Sequence, residues 1–184
     1  EARRQWAREF SGDAAREGFV RLGGTKTGAI HAIMSKLTSH EASTLSLRLL
    51  TKTSAVAARA SVSVSALVEA LHALGEHTGK SGYGSIQLWI DDELRATKVW
   101  ETFLAAASAA ETQLDELVKD VHETAEVLSG QDASLAADLT EAGSFAEELL
   151  VTLRLVISGE DENYFYFAEL SRKRREMGGE KLVA

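Results

Sequence analysis

The 184-residue chain has no cysteine and no proline. Without cysteine it forms no disulfide, holds no cysteine-ligated iron–sulfur cluster and performs no thiol chemistry. A reducing, cytoplasmic setting is the natural expectation. Proline breaks helix interiors, so a chain without it favours long helices. No apolar run approaches the length of a membrane span, and no signal-peptide pattern opens the chain. Residue 1 is Glu rather than Met, so the expectation is a processed chain or a piece of a larger protein.

The formal net charge is −8, unevenly spread. Residues 1–60 carry ten Lys/Arg against five Asp/Glu, a net +5, and residues 61–184 carry ten against twenty-three, a net −13. The asymmetry admits two readings. One surface meets a polyanion or an acidic partner while the other stays solvated, or the two halves pack together and neutralise each other.

Residues 2–10, with Trp6 and Phe10 four apart, predict a short helix. Gly18, Gly23 and Gly24 break up the next stretch of chain. In Gly28–Leu37, Ile30, Ile33, Met34 and Leu37 share one helical stripe. A long helix is expected from about Ser39 to Leu74, with Leu45, Leu49, Val56, Ala60, Leu67, Leu71 and Leu74 on its beat. Ala60–Ser65 alternates with period two and has low helix propensity, so a kink or break is expected there. Gly75 then caps the helix.

Residues 84–90 predict a short strand, and Asp91 or Asp92 caps the next helix. That helix carries the cleanest seam in the chain, from Trp100 and Phe103 through Leu114 and Leu117 to Leu128. Running from Asp92 to Leu128 it would be about 55 Å long. Gly130 ends it, and Asp132 or Ser134 opens another that carries Leu135, Leu139, Ala142, Ala146, Leu149, Leu153 and Val156 to Ser158-Gly159. Residues 163–170 read as a strand and the segment after Gly178 as the start of a second. The expected fold is therefore mainly α. It is one elongated helical domain over 1–184, built on a long antiparallel hairpin, with a small β element from residues 84–90 and 163–184.

Gly75–Ser81 (GEHTGKS) ends like a phosphate-binding loop. The loop pattern needs four residues between its glycines, and Gly75 and Gly79 enclose three. It must also follow a strand and open a helix. Here a helix precedes it, so ATP binding at this place is not expected. His31, His40, His72, His77 and His122 lack the spacing of a zinc motif. Asp91–Glu93 and Glu160–Glu162 lack that of a calcium loop. Trp100 and Phe103 read as core. Tyr164–Phe167 reads as strand packing, with base stacking the alternative. No catalytic, cofactor-binding or metal-binding residue is proposed. The candidate phosphate contacts are Arg3, Arg4, Arg8, Arg16, Arg21 and Lys26 near the N-terminus, and Arg172, Lys173, Arg174 and Arg175 near the C-terminus.

Val99–Leu117 (VWETFLAAASAAETQLDEL) resembles a helix of DinG-type helicases that begins Trp-Glu-x-Leu. Glu160–Leu170 (EDENYFYFAEL) resembles that family's segment ENYVYW-x-E, just before the second helicase motor domain. Glu1-Ala2-Arg3 is similar to the tail of a DEAH box, with Arg3 in place of His. The resemblance implies the arch domain of a DinG/XPD-like superfamily 2 helicase. Such a domain is non-catalytic alone and bridges the first motor domain, so that single-stranded DNA threads beneath it during 5′-to-3′ unwinding. ATP and Mg would belong to the motor domains of the same polypeptide. The absence of cysteine implies a branch without the iron–sulfur cluster, such as the forms fused to an exonuclease. The implied partners are single-stranded DNA and the motor domains, with a monomeric domain in isolation and no membrane. The alternative is a helical adaptor that binds other proteins and no nucleic acid.

Overall fold

A computed structural model describes residues 9–37, 44–78, 80–81, 85–159, 166–171 and 181–183. In chain order the elements are β1 (Glu9–Ser11), α1 (Gly12–Gly23), α2 (Ala29–Leu37), α3 (Thr44–Thr78), β2 (Lys80–Ser81), β3 (Ser85–Trp89), α4 (Asp92–Arg95), α5 (Lys98–Ser129), α6 (Ala133–Ser158), β4 (Phe167–Ser171) and β5 (Lys181–Val183).

The architecture is mainly α, as the periodicity predicts. α5 and α6 form the expected antiparallel hairpin, and α3 packs on the other side of α5 as a third long helix. At about 1.5 Å per residue, α3 with 35 residues is about 52 Å long and α5 with 32 is about 48 Å. The seam is continuous: Trp100, Phe103, Ala107, Ala110, Leu114, Leu117, Val121 and Leu128 of α5 are all buried. Alanine and glycine let the axes approach. A Cβ on Gly143 of α6 would lie 2.8 Å from Val121 Cγ1. α1 lies against both α3 and α6, and α2 follows it.

Local chemistry sets the helix ends. Asp132 accepts from the Ser134 and Leu135 amides at 2.8 and 3.3 Å and opens α6. Gly159, at φ 60°, closes it with its amide on Leu155 O. A Cβ at Gly159 would sit 2.3 Å from Arg95 Nη2, so both conformation and space require glycine there.

Five expectations are corrected. Phe10 does not close a helix; it is a buried residue of strand β1, while residues 1–8 lie outside the described set. Gly18 does not interrupt the chain but sits inside α1, where a Cβ would meet the Phe145 ring at 2.3 Å. α3 runs unbroken through Ala60–Ser65 because Ala60, Val64 and Leu67 are buried, and that burial outweighs weak local propensity. Gly75 is not a cap: α3 continues to Thr78, and the missing side chain makes room for Leu170, whose Cδ1 would lie 2.0 Å from a Cβ. The helix from Asp92 is two pieces. Asp91 caps the single turn α4 by accepting from the Leu94 amide, and Thr97 starts α5 afresh by accepting from the Trp100 amide at 3.2 Å.

The β element is a five-stranded antiparallel sheet in the order β1-β5-β4-β3-β2. Its inner face carries Phe10, Leu88, Ala168 and Leu170, all buried, and contacts the α3 and α6 sides of the bundle. β1 and β5 are neighbours, with Glu9 opposite Val183.

Candidate nucleic-acid interface

Of the ten basic residues proposed from sequence, three fall on described backbone. Arg16 and Arg21 are exposed on α1, and Lys26 is exposed in the turn before α2. They do not share one condition. Arg16 Nη1 lies 3.3 Å from Asp13 Oδ1, one helical turn away, so its charge is partly offset. Arg21 and Lys26 make no ion pair with another described residue. Val20, 55% exposed, lies between the two arginines in the chain. Arg3, Arg4, Arg8, Arg172, Lys173, Arg174 and Arg175 lie outside the described residues.

Arg8 precedes Glu9, in the row Glu9–Val183–Phe167–Trp89. Arg172 follows Ser171, opposite Ser85. The two rows are four residues apart along β4, about 13 Å at strand rise. Glu9 and Ser171 therefore lie at opposite ends of the strands.

Several cations of the first sixty residues are used inside the molecule. Lys52 on α3 donates to Asp120 Oδ1 of α5 at 2.9 Å and lies 3.6 Å from Glu123. The hydrogen bond to Asp120 holds the Lys52 ammonium above its ordinary pKa. Arg59 reaches Glu116 at 2.8 Å and Gln113 at 3.3 Å, and Lys36 of α2 reaches Asp138 of α6 at 3.4 Å. The basic and acidic halves thus pack against each other and partly neutralise. Nor do all the acidic residues of α5 simply face solvent. Arg154 of α6 bridges Glu111 at 2.8 Å and Asp115 at 3.0 Å. Its hydrogen bonds raise its own pKa, and with Lys119 it holds the Asp115 carboxyl below the ordinary range.

Beneath Lys52 lies a buried polar layer. Thr53 and Thr124 share a hydrogen bond of 2.9 Å. Asp120 is buried, and its Oδ2 has no hydrogen-bond partner among the described residues.

The aromatics divide as strand and seam patterns require. Trp100 and Phe103 are buried with ring centroids 4.8 Å apart. Tyr166 is buried, while Tyr164 and Phe165 lie outside the described residues. Arg95 ties these parts together. Its guanidinium donates to Val156 O at 2.9 Å and Ile157 O at 3.0 Å, satisfying carbonyls at the end of α6. It lies 4.9 Å from the Trp100 ring centre and 5.6 Å from that of Tyr166. Burial pushes its pKa down.

Trp89 is a surface feature that the sequence pattern did not bring forward. It is 54% exposed on the outer face of the sheet, with its ring centre 5.5 Å from that of Phe167. The alternation Leu88 in, Trp89 out, Ile90 in was the available signal.

Lys80 and Ser81 of the phosphate-loop-like stretch form β2, paired with Gln87 and Ile86, and do not open a helix. Among the described residues no group of three or more His, Asp or Glu could hold a metal ion. No family model, curated protein or solved structure matches the chain.

Proposed function

We propose that the chain is the arch domain of a DinG/XPD-like ATP-dependent DNA helicase, enclosing or guiding single-stranded DNA beside the motor domains and inactive as an enzyme by itself. The observation that carries this reading is the paired resemblance of Val99–Leu117 and Glu160–Leu170. The first falls on α5, beginning at its second residue, and the second runs into β4. Both meet at Arg95, which contacts Trp100 and Tyr166.

On this reading ATP and Mg act in the motor domains and the protein is cytoplasmic. DNA meets Arg21 and Lys26, together with Arg3, Arg4, Arg8 and Arg172–Arg175.

The adaptor reading keeps one specific observation in its favour. Lys36, Lys52 and Arg59 are engaged with Asp138, Asp120 and Glu116, which leaves fewer cations for phosphates. Fluorescence anisotropy of labelled single-stranded DNA, titrated in salt, separates the two. Phosphate contacts give binding whose logarithm falls linearly with log salt, by about 0.7 per neutralised phosphate on a single strand. Arg21→Glu with Lys26→Glu should weaken binding and flatten that slope. Absence of binding at low salt would favour the adaptor.

A further inference from the structure

The outward face of α3 carries a stripe of exposed small, apolar and charged residues. Arg48, Ala55, Val62, Ala66, Glu69 and Glu76 fall on one stripe of the helix and all are exposed. Val62 at its centre is 70% exposed, the highest among the exposed large apolar residues. Contrary to the expectation that no apolar run approaches a membrane span, α3 is long and apolar enough for one by length and composition alone, with 33% of its most apolar window buried in the fold. The exposed large apolar residues of α3 are Leu45 and Val62, at 51% and 70%.

The charges on α3 are segregated. All three cations, Arg48, Lys52 and Arg59, lie in its first half; both anions, Glu69 and Glu76, lie in its last third; residues 60–68 carry none. Such a helix is complementary to a second copy of itself only when the two run antiparallel. Arg48 is fourteen residues before Val62 and Glu76 fourteen after, so a two-fold axis at Val62 sets each Arg48 against the other copy's Glu76. The same axis sets Ala58 against Ala66, four residues to either side. Arg48, Glu69 and Glu76 make no ion pair with another described residue, so the pairing displaces none. Small residues around Val62 permit an axis separation of about 8 Å, the close end of helix packing. Beside Val62, an open trough of about 620 Å³ between α3 and α5, with walls that include Ala58, Ala109 and Thr112, can take the other copy's valine.

A stripe about 10 Å wide along a helix of about 52 Å covers about 500 Å² per copy. Two copies bury about 1,000 Å², the lower bound for a specific interface.

We propose that α3 is a self-recognition surface, on which two copies of this chain pair antiparallel about Val62 with reciprocal Arg48–Glu76 ion pairs. This goes beyond the helicase reading, does not rest on it, and departs from its expectation of a monomeric domain in isolation. The small area makes the dimer weak, with a dissociation constant in the micromolar range.

Sedimentation velocity of the whole chain from about 1 µM to about 1 mM tests it. The wild type should pass from monomer to dimer. Arg48→Glu alone and Glu76→Arg alone should each weaken dimerisation about tenfold, because two symmetric pairs turn repulsive. The double exchange should restore it. Circular dichroism of each variant separates lost association from lost folding. The chain has no cysteine, so Val62→Cys under mild oxidation should give a covalent dimer, and Val20→Cys on α1 should not. A monomer throughout the range overturns the proposal and leaves the face to a different partner. A dimer indifferent to Arg48 and Glu76, or cross-linking equally through position 20, overturns it as well.

Discussion

Gly18→Ala tests whether the glycine inside α1 is there for space. In a helix interior, alanine is favoured over glycine by about 0.8–1.0 kcal/mol, so an unobstructed site would gain stability. At Gly18 the new Cβ would lie 2.3, 2.4 and 2.8 Å from three atoms of the Phe145 ring. A ring cannot yield as the tip of a flexible side chain can. It must swing out, or α1 must lift from α6, at an overpacking cost of about 1–3 kcal/mol. Moving the ring also disturbs its edge-on contact with Phe19, whose centroid is 5.0 Å away, a pair contributing about 0.5–1.5 kcal/mol. The expected net loss is about 1–3 kcal/mol. Urea unfolding of four proteins measures it: wild type, Gly18→Ala, Phe145→Ala and the double variant. Phe145→Ala should cost about 3–5 kcal/mol. In that background Gly18→Ala should become stabilising by about 1 kcal/mol. A higher midpoint for Gly18→Ala in the wild-type background would refute the reasoning, because Phe145 could not then rest on α1.

Other perturbations have equally definite outcomes. Leu114→Ala, at a fully buried site in the middle of α5, should cost about 2–5 kcal/mol in chemical unfolding. Arg95→Met should lower the melting temperature and loosen the end of α6, read as faster amide exchange at Ile157–Gly159; Arg95→Lys should not restore it, since an ammonium lacks the planar fork that reaches both carbonyls. Asp115, held below its ordinary 3.8 by Lys119 and Arg154, contributes stability that is present above that pH and lost as pH falls through its folded value. Asp115→Asn should therefore lower stability at neutral pH and flatten the profile below about pH 4, leaving the slope of the neutral-to-alkaline limb unchanged. Lys52, held above 10.5, contributes in the opposite sense, so Lys52→Met should remove a stability loss seen above about pH 10.5.

Much of this architecture was legible in the chain. The seam from Trp100 to Leu128 and that from Leu135 to Val156 are long and regular, and both became buried helix faces. Asp132, Gly130 and Gly159 marked helix ends because their chemistry acts within a few residues. The Ala60–Ser65 stretch misled because its local preference is weak and α5 overrode it. Gly18 and Gly75 misled for a related reason. Glycine signals both a break and a close approach, and only Phe145 and Leu170 say which applies. Of the candidate interface, residue identities were legible but charge availability was not. Whether Arg16 or Lys52 is free depends on Asp13, one turn away, or on Asp120, sixty-eight residues away.

The sequence by itself determined the seams of α5 and α6, the ends marked by Gly130, Asp132 and Gly159, and the absence of cysteine, because these depend on residue type and on periods of a few residues. Tertiary structure alone decided that β5 lies between β1 and β4, that α3 joins the hairpin, and that the basic first third is partly neutralised. It also decided which face of α3 is left in water with its charges sorted by sign. A helix pattern specifies that an apolar stripe will be covered. Which partner covers it is a competition among distant surfaces, settled by shape, volume and charge at contact.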